Sequence, residues 1–246
     1  MTKHIKTLLL FFFIANSIAS YSQIYFGGRV GMNMSFLSVQ PELIKYNQVS
    51  DLVPKLNVGV AGLGYFELGP YFAIQPEVIY NRKGLKSNVD VYINEDSLLT
   101  GEWNYSFDYI EIPLMLKVSL NSQGFDPFIE FGGYYGYMFR AKYESQAYLN
   151  NNEILSEDYL SDFKTNADGE SLNQNEYGFK VGIGGTLILS KGVAFFSIRY
   201  SQGLSDIINY QTQPDNYKKT YNRVFQLTLG YAFEIRRNTE NKIYYY

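Results

Sequence analysis

The 246 residues carry 21 Lys+Arg against 24 Asp+Glu, a single histidine, no cysteine, and 24 Tyr, 18 Phe and 21 Gly. That slightly acidic balance excludes nucleic acid as a partner, because phosphates attract clustered Lys and Arg. With no thiol and only His4 for imidazole, the commonest ligands of zinc, copper and haem are missing and disulfides are impossible, so neither a cofactor nor a metal is expected.

The first segment, MTKHIKTLLLFFFIANSIASYS, joins a basic start (Lys3, His4, Lys6) to an apolar run from Leu8 to Ala15 and small residues at Ser20 and Ser22. This is the pattern of a secretory signal peptide over 1–22, with the exported domain occupying 23–246 and a short tail at about 237–246. Without residues 1–22, Lys+Arg falls from 21 to 19 against 24 Asp+Glu, a formal charge of −5, and His4 is gone. No later apolar run approaches the ~20 residues of a membrane helix. A membrane could be crossed here only by strands.

Eight stretches alternate with period two, at 24–37, 55–68, 71–84, 104–119, 126–143, 176–190, 193–204 and 221–236. Each exceeds the ~9–11 residues of a tilted transmembrane strand. The connections alternate in length. "GP" (69–70), "NSQGFD" (121–126) and "KG" (191–192) are short, whereas 38–54, 85–103, 144–175 and 205–220 are long. In an up-and-down sheet odd and even connections emerge at opposite ends, so all short turns fall on one side and all long loops on the other. Outer-membrane barrels sort their turns in this way.

The two faces of each stretch differ in a consistent sense. In 55–68, Leu56, Val58, Val60, Phe66 and Leu68 oppose Asn57, Gly59, Ala61, Tyr65 and Glu67; in 71–84, Phe72, Ile74, Val78 and Tyr80 oppose Gln75, Glu77 and Asn81. In 109–118, Ile110, Ile112, Leu114, Leu116 and Val118 oppose Glu111, Pro113, Met115 and Lys117. In 126–143, Ile129, Phe131, Tyr135, Tyr137 and Phe139 oppose Glu130, Gly132, Gly136 and Arg140. In 176–190, Phe179, Val181, Ile183, Leu187 and Leu189 oppose Lys180, Gly182, Gly184 and Thr186. In 221–236, Phe225, Leu227, Leu229, Tyr231 and Phe233 oppose Gln226, Thr228, Gly230 and Ala232.

One face is bulky and apolar; the other mixes glycine, small residues and isolated charges. A small closed barrel has a crowded interior and an unlimited exterior, so the glycine face belongs inside. The exterior must then be lipid, since such an apolar band would aggregate in water, and closure leaves no backbone edge in hydrocarbon. The expected fold is therefore all-β: an eight-stranded antiparallel up-and-down transmembrane β-barrel in the outer membrane, with membrane lipid as its first partner.

Arg29, Glu67, Glu77, Glu111, Lys117, Glu130, Lys180 and Arg199 then share the lumen. Four carboxylates and four cations balance, which points to an internally paired structural network, because an isolated charge in a narrow lumen costs several kcal/mol. Parity leaves open which carboxylate meets which cation. Aromatics near strand ends (Tyr25, Phe26, Tyr71, Phe72, Trp103, Tyr105, Phe107, Phe125, Phe128, Tyr177 and Tyr221) fit interfacial girdles.

Five segments in this order carry a family likeness: "GGRVGMNMS" (27–35), "AIQPEVIYNRKG" (73–84), "YIEIPLMLK" (109–117), "PFIEFGGYYGYM" (127–138) and "IRYSQGLSDI" (198–207). Together they resemble the PorT-like outer-membrane β-barrel proteins of Bacteroidetes-type bacteria. The resemblance implies an eight-stranded outer-membrane barrel; the namesake is associated with protein secretion machinery, and no residue set carries that role over.

Chemistry is sparse. The exported chain lacks a histidine to serve as base, and no Gly-x-Ser-x-Gly elbow is present, so no catalytic residue is expected. "GVAGLG" (59–64) and "GIGG" (182–185) lead into no helix and supply no Walker lysine; they read as small residues on a crowded wall. The loop at 144–175 is acidic, with Glu144, Glu153, Glu157, Asp158, Asp162, Asp168 and Glu170 against Lys164, and fits a solvated extracellular loop. The expected role is non-enzymatic, structural or interactive, with envelope or secretion proteins engaged through the long loops. The alternatives are a narrow pore for small solutes and a soluble, lipocalin-like binder whose apolar face turns inward.

The parity assignment makes a direct prediction. Leu227→Arg on the lipid face will impair membrane assembly, by about 2–4 kcal/mol at the midplane, while Thr228→Ser on the lumen face will be tolerated. Folded yield after refolding into lipid vesicles reads both, and equal tolerance would overturn the assignment of faces.

Overall fold

Long period-two runs rich in Tyr, Phe, Val and Ile favour extended backbone, and a strand in hydrocarbon must pair on both sides. The computed structural model describes residues 23–38, 50–94, 97–120, 122, 124–150, 152–161, 163, 170–210 and 219–236. The proposed signal segment 1–22 and the tail 237–246 lie outside the described residues.

The chain forms β1 (Ile24–Leu37), β2 (Ser50–Glu67), β3 (Phe72–Asn94), β4 (Ser97–Ser119), β5 (Phe125–Leu149), β6 (Asn152–Leu160), β7 (Glu170–Leu172), β8 (Asn175–Leu189), β9 (Gly192–Gly203), β10 (Ile208–Tyr210) and β11 (Asn222–Arg236). Eight of these close a ring, β1-β2-β3-β4-β5-β8-β9-β11 and back to β1, with every neighbour antiparallel. Chain neighbours pair throughout, apart from the excursions through β6, β7 and β10. The result is an up-and-down barrel with its short connections at one end.

The faces are distributed as expected for a membrane barrel. Val30, Met32, Leu56, Val58, Ile112, Leu114, Ile183, Leu227, Leu229 and Phe233 are exposed, whereas Arg29, Asn33, Gln75, Glu77, Glu111, Glu130, Lys180 and Arg199 are buried. Neighbours in sequence show the contrast: Leu227 is 54% exposed and Thr228 4%. The lipocalin-like alternative, which requires the apolar face inside, is overturned by this arrangement.

Four strands run past their expected ends, the first being β2, which starts at Ser50 and pairs β3 from there. β3 continues to Asn94, β4 already starts at Ser97, and β5 reaches Leu149, so the segments at 85–94, 97–103 and 144–149 are strand and not open loop, while residues 95–96 lie outside the described residues. β6 then folds back on β5 from Lys142 to Leu149, and β7 pairs β10 in a small separate sheet. The alternation weakens above the membrane because both faces there meet water, which removes the signal that parity depends on. Of the loops at 38–54 and 205–220, residues 39–49 and 211–218 lie outside the described residues.

A register shift corrects one side chain. Tyr109 pairs Met138 but Asp108 pairs Arg140, so Phe139 is an extra residue in β5. Such a bulge reverses parity beyond it. Arg140, expected inside, is exposed, and Ala141 takes the inward position.

At Gly84, φ is +150° and a Cβ would stand 1.9 Å from the Tyr105 carbonyl oxygen. Neither the backbone conformation nor the space admits a side chain. Gly84→Ala will therefore lower stability by about 1–3 kcal/mol, seen as a lower urea midpoint for loss of the compact band in unheated electrophoresis; an unchanged midpoint would contradict the tight approach of β3 to β4.

Candidate functional site: a filled and ion-paired lumen

Every second residue of eight strands converges on one narrow axis, and an eight-stranded barrel leaves room for little beyond those side chains. They stack in layers along the axis. Tyr25 of β1, Leu63 of β2, Phe128 of β5, Val193 and Phe195 of β9 and Ala232 of β11 form an apolar cluster at the short-turn end, with Tyr65 packed against it. Phe107 and Tyr109 of β4, Met138 and Ala141 of β5 and Ile207 form a second at the opposite end, joined by Leu37, Tyr105, Tyr143, Phe163 and Leu172. The charges lie between the two.

Nearer the short turns, Glu77 is the centre. It accepts from the Nη2 of Arg29, from Nη1 and Nη2 of Arg199 at 3.1 and 3.0 Å, and from the side-chain amide of Gln75. The same Arg199 donates to Glu130 through Nε and, at 2.6 Å, through Nη2. A planar guanidinium can serve two carboxylates at once because its donors form a rigid fork.

Nearer the long loops, Glu111 receives Lys83 and Lys180, each at 2.7 Å, and Lys83 reaches Glu176 at 2.7 Å. Glu176 also accepts from the Tyr134 hydroxyl and from Asn222 Nδ2 at 2.7 Å. The ammonium groups lie over rings as well: Lys83 is 4.5 Å from the Tyr109 centroid and Lys180 4.6 Å from that of Tyr134. A chain of amides crosses the lumen beside this layer, each nitrogen donating onward. Gln226 donates to Asn33 (2.9 Å), Asn33 to Asn81, and Asn81 to Glu111 (3.1 Å).

Of the residues expected in the lumen, Arg29, Glu77, Glu111, Glu130, Lys180 and Arg199 are brought together in these pairs. Lys117 is buried but has no carboxylate within ion-pairing distance among the described residues. Its Nζ stands over Phe128, Phe195 and Tyr65, at 4.0, 4.9 and 5.3 Å from their centroids. The aromatic rings supply the attraction of their negative faces. Glu67 is half-buried at the short-turn rim, without a cation partner among the described residues, and so stands apart from the network.

Two members were missed. Lys83 shares parity with Glu77 and Asn81, and Glu176 with Lys180, so the alternation points both inward, although each stands at the end of its expected strand. The buried set therefore has five cations, Arg29, Lys83, Lys117, Lys180 and Arg199, against five carboxylates, Glu77, Asp108, Glu111, Glu130 and Glu176, of which Asp108 is taken by the partly exposed Arg82 and leaves four for the lumenal cations. Lys117, the cation seated on rings, is the surplus.

The aromatic girdle is also corrected in part. Phe26, Tyr71, Phe72, Trp103, Phe125 and Tyr177 are exposed, as a girdle requires, but Tyr25, Phe107 and Phe128 are buried in the two lumenal clusters, with Tyr105 packed against one of them. Their parity is that of the charged residues. The barrel uses rings at its ends both to meet the interface and to close the lumen.

The family model of the outer membrane protein beta-barrel domain matches residues 16–209. The chain belongs to this family. It is an outer-membrane β-barrel protein, and its apolar band lies in membrane lipid. Solved structures to which it is similar include Neisserial surface protein A, at 10% identity and TM-score 0.41 over 87% of this chain and 98% of that one. OprG from Pseudomonas aeruginosa aligns at 16% identity and TM-score 0.37, over 87% and 95% of the two chains. Ail of Yersinia pestis aligns at 12% identity and TM-score 0.35, over 86% and 99%. No curated protein matches the chain.

Above the membrane segment of this outer-membrane barrel, Lys142 Nζ donates to Glu144 at 2.5 Å and to Asp158 at 3.0 Å. The hydrogen bond from Lys142 holds the Glu144 carboxyl below its ordinary range, and the bonds to Glu144 and Asp158 raise the ammonium. This exposed contact is screened and contributes little to stability.

Within the lumen the stakes are higher. Arg199→Met strips a cation from two buried carboxylates at once and will cost about 3–5 kcal/mol, whereas Lys117→Met removes no carboxylate's partner and will cost distinctly less. Urea titration of the two variants in detergent measures the difference; equal losses would contradict the pairing.

Proposed function

We propose that this protein is a closed, non-conducting and non-enzymatic barrel whose role is to anchor an extracellular interaction surface in the outer membrane. One observation carries the reading: an ion-paired core with apolar clusters on both sides fills the lumen. A conduit needs hydrated space along its axis, and here carboxylates and cations that would line such a path are already engaged with one another. Those carboxylates are equally ill placed for catalysis, being paired away from any substrate, and no imidazole follows His4 to act as a base.

What remains available is the part beyond the membrane, where β3, β4 and β5 continue as a sheet and β6 is added to its edge. Envelope or secretion proteins are the proposed partners, met through the segments at 38–54, 85–103, 144–175 and 205–220. The likeness of "YIEIPLMLK" and its companion segments supports a PorT-like placement within the barrel family, and residues 1–22 act as the export signal in this reading.

Single-channel recording in planar bilayers tests the proposal. The expected trace shows no stepwise openings at physiological salt; steady openings would replace it with the narrow-pore reading.

A further inference from the structure

A strand at the end of a sheet satisfies only half of its backbone groups, because successive N–H and C=O groups point to opposite sides. β6 (Asn152–Leu160) is such a strand. It stands outside the barrel ring, pairs β5 alone, and has no strand on its other edge among the described residues. All nine of its residues are exposed. Ile154 is the extra residue of a bulge, after which Leu155–Leu160 runs in unbroken register with Lys142–Ala147. That gives an open edge of about 20 Å at ~3.4 Å per residue.

Edges that are meant to stay alone are blunted with proline, with charged side chains, lysine above all, or with extreme shortness. β6 contains no proline and no lysine, and four of its nine side chains, Ile154, Leu155, Tyr159 and Leu160, are large, apolar and exposed. Its charges are all of one sign. Glu153, Glu157 and Asp158 stand on the strand and Glu144 on its neighbour, with Lys142 as the nearby cation, held between Glu144 and Asp158. A second copy of this edge would bring the same carboxylates against them, and like charges across a strand pair destabilise it.

We infer that the free edge of β6 accepts an extended, lysine- or arginine-bearing segment of another protein as an added strand, its backbone pairing with β6 and its cations meeting Glu153, Glu157 and Asp158. The inference rests on the reading of the barrel as an anchor for an extracellular interaction surface. Strand addition draws its affinity from main-chain hydrogen bonds and its selectivity from alternate side chains. Tyr159, packed 6.0 Å from Tyr143, and Leu155 then offer apolar contacts on the face between the charges.

The test uses the full-length protein in non-ionic detergent and a dye-labelled nine-residue peptide of alternating lysine and valine, capped at both ends, followed by fluorescence anisotropy. Two control peptides accompany it: one interrupted by a central proline with its lysines retained, and one with glutamate in place of lysine. The alternating lysine peptide is expected to bind at least tenfold more tightly than either control. Leu155→Pro and Ser156→Pro remove N–H groups that point to opposite sides of the strand, so at least one of them strips a donor from the free edge. That variant should lose at least tenfold in binding while the barrel keeps its heat-dependent shift in electrophoresis, since β6 lies outside the ring. Equal binding of the proline-interrupted peptide would reduce the contact to simple charge attraction and overturn the inference, as would two proline variants that bind like the parent, or no binding at all. A dimer in sedimentation that dissolves in the proline variants would assign the edge to a second copy of the chain and overturn it too. Failure here in a barrel that shows no conductance removes strand addition alone; stepwise conductance removes the anchor reading itself.

Discussion

The narrow closed lumen is the constraint on which this structure depends. A ring of eight strands turns half of all strand side chains toward an axis with room for little else, in a setting where an unpaired charge cannot be hydrated. The interior must therefore be filled, and its charges must find one another. The exterior faces the opposite demand, since lipid accepts only apolar groups and the ring leaves no backbone edge to satisfy there. The inverted distribution of residues, ions within and hydrocarbon without, follows from those two solvents.

The way the charges meet gives the lumen its order. Glu77 gathers both arginines and Glu111 both of its lysines, so each layer is organised on a carboxylate shared by two cations from different strands. Arg29, Glu77, Glu130 and Arg199 come from β1, β3, β5 and β9, and the bonds among them act as cross-braces between strands that are not neighbours in the ring. In the amide chain from Gln226 to Glu111 the Asn33–Asn81 link does the same between β1 and β3, while the other two links tie ring neighbours, β11 to β1 and β3 to β4. The rings at either end exclude water from this core, which strengthens each pair by lowering the local dielectric. Stiffening of this kind is what the proposed anchor for the sheet formed by β3, β4, β5 and β6 would require.

Much of the barrel was legible because period two is enforced by both solvents at once. β1 was bounded to the residue, and β8, β9 and β11 within one, since their ends coincide with the ends of the apolar band. β2, β3, β4 and β5 were cut short where they leave lipid. Beyond that level hydrocarbon no longer demands apolar side chains on one face, so Leu85 to Asn94 carries no clean alternation although it stays paired with β4. The same loss of contrast hid Lys83 and Glu176, which lie at the margin of the expected strands. The bulge at Phe139 was invisible for a different reason: one inserted residue changes parity without changing composition.

The sequence by itself determined the class of fold, the number of membrane strands, the compartment and, within the apolar band, which face of each strand meets lipid, because those properties depend on side-chain alternation and on the solvent that each face requires. Only the tertiary structure decided which charges pair, that Lys117 rests on aromatic rings while Glu67 stands apart, that Tyr25, Phe107 and Phe128 close the lumen, and that β6 leaves a sheet edge open. Those are matters of distance across the barrel and of strand register, and residues far apart in the chain acquire neighbours there only when the ring closes.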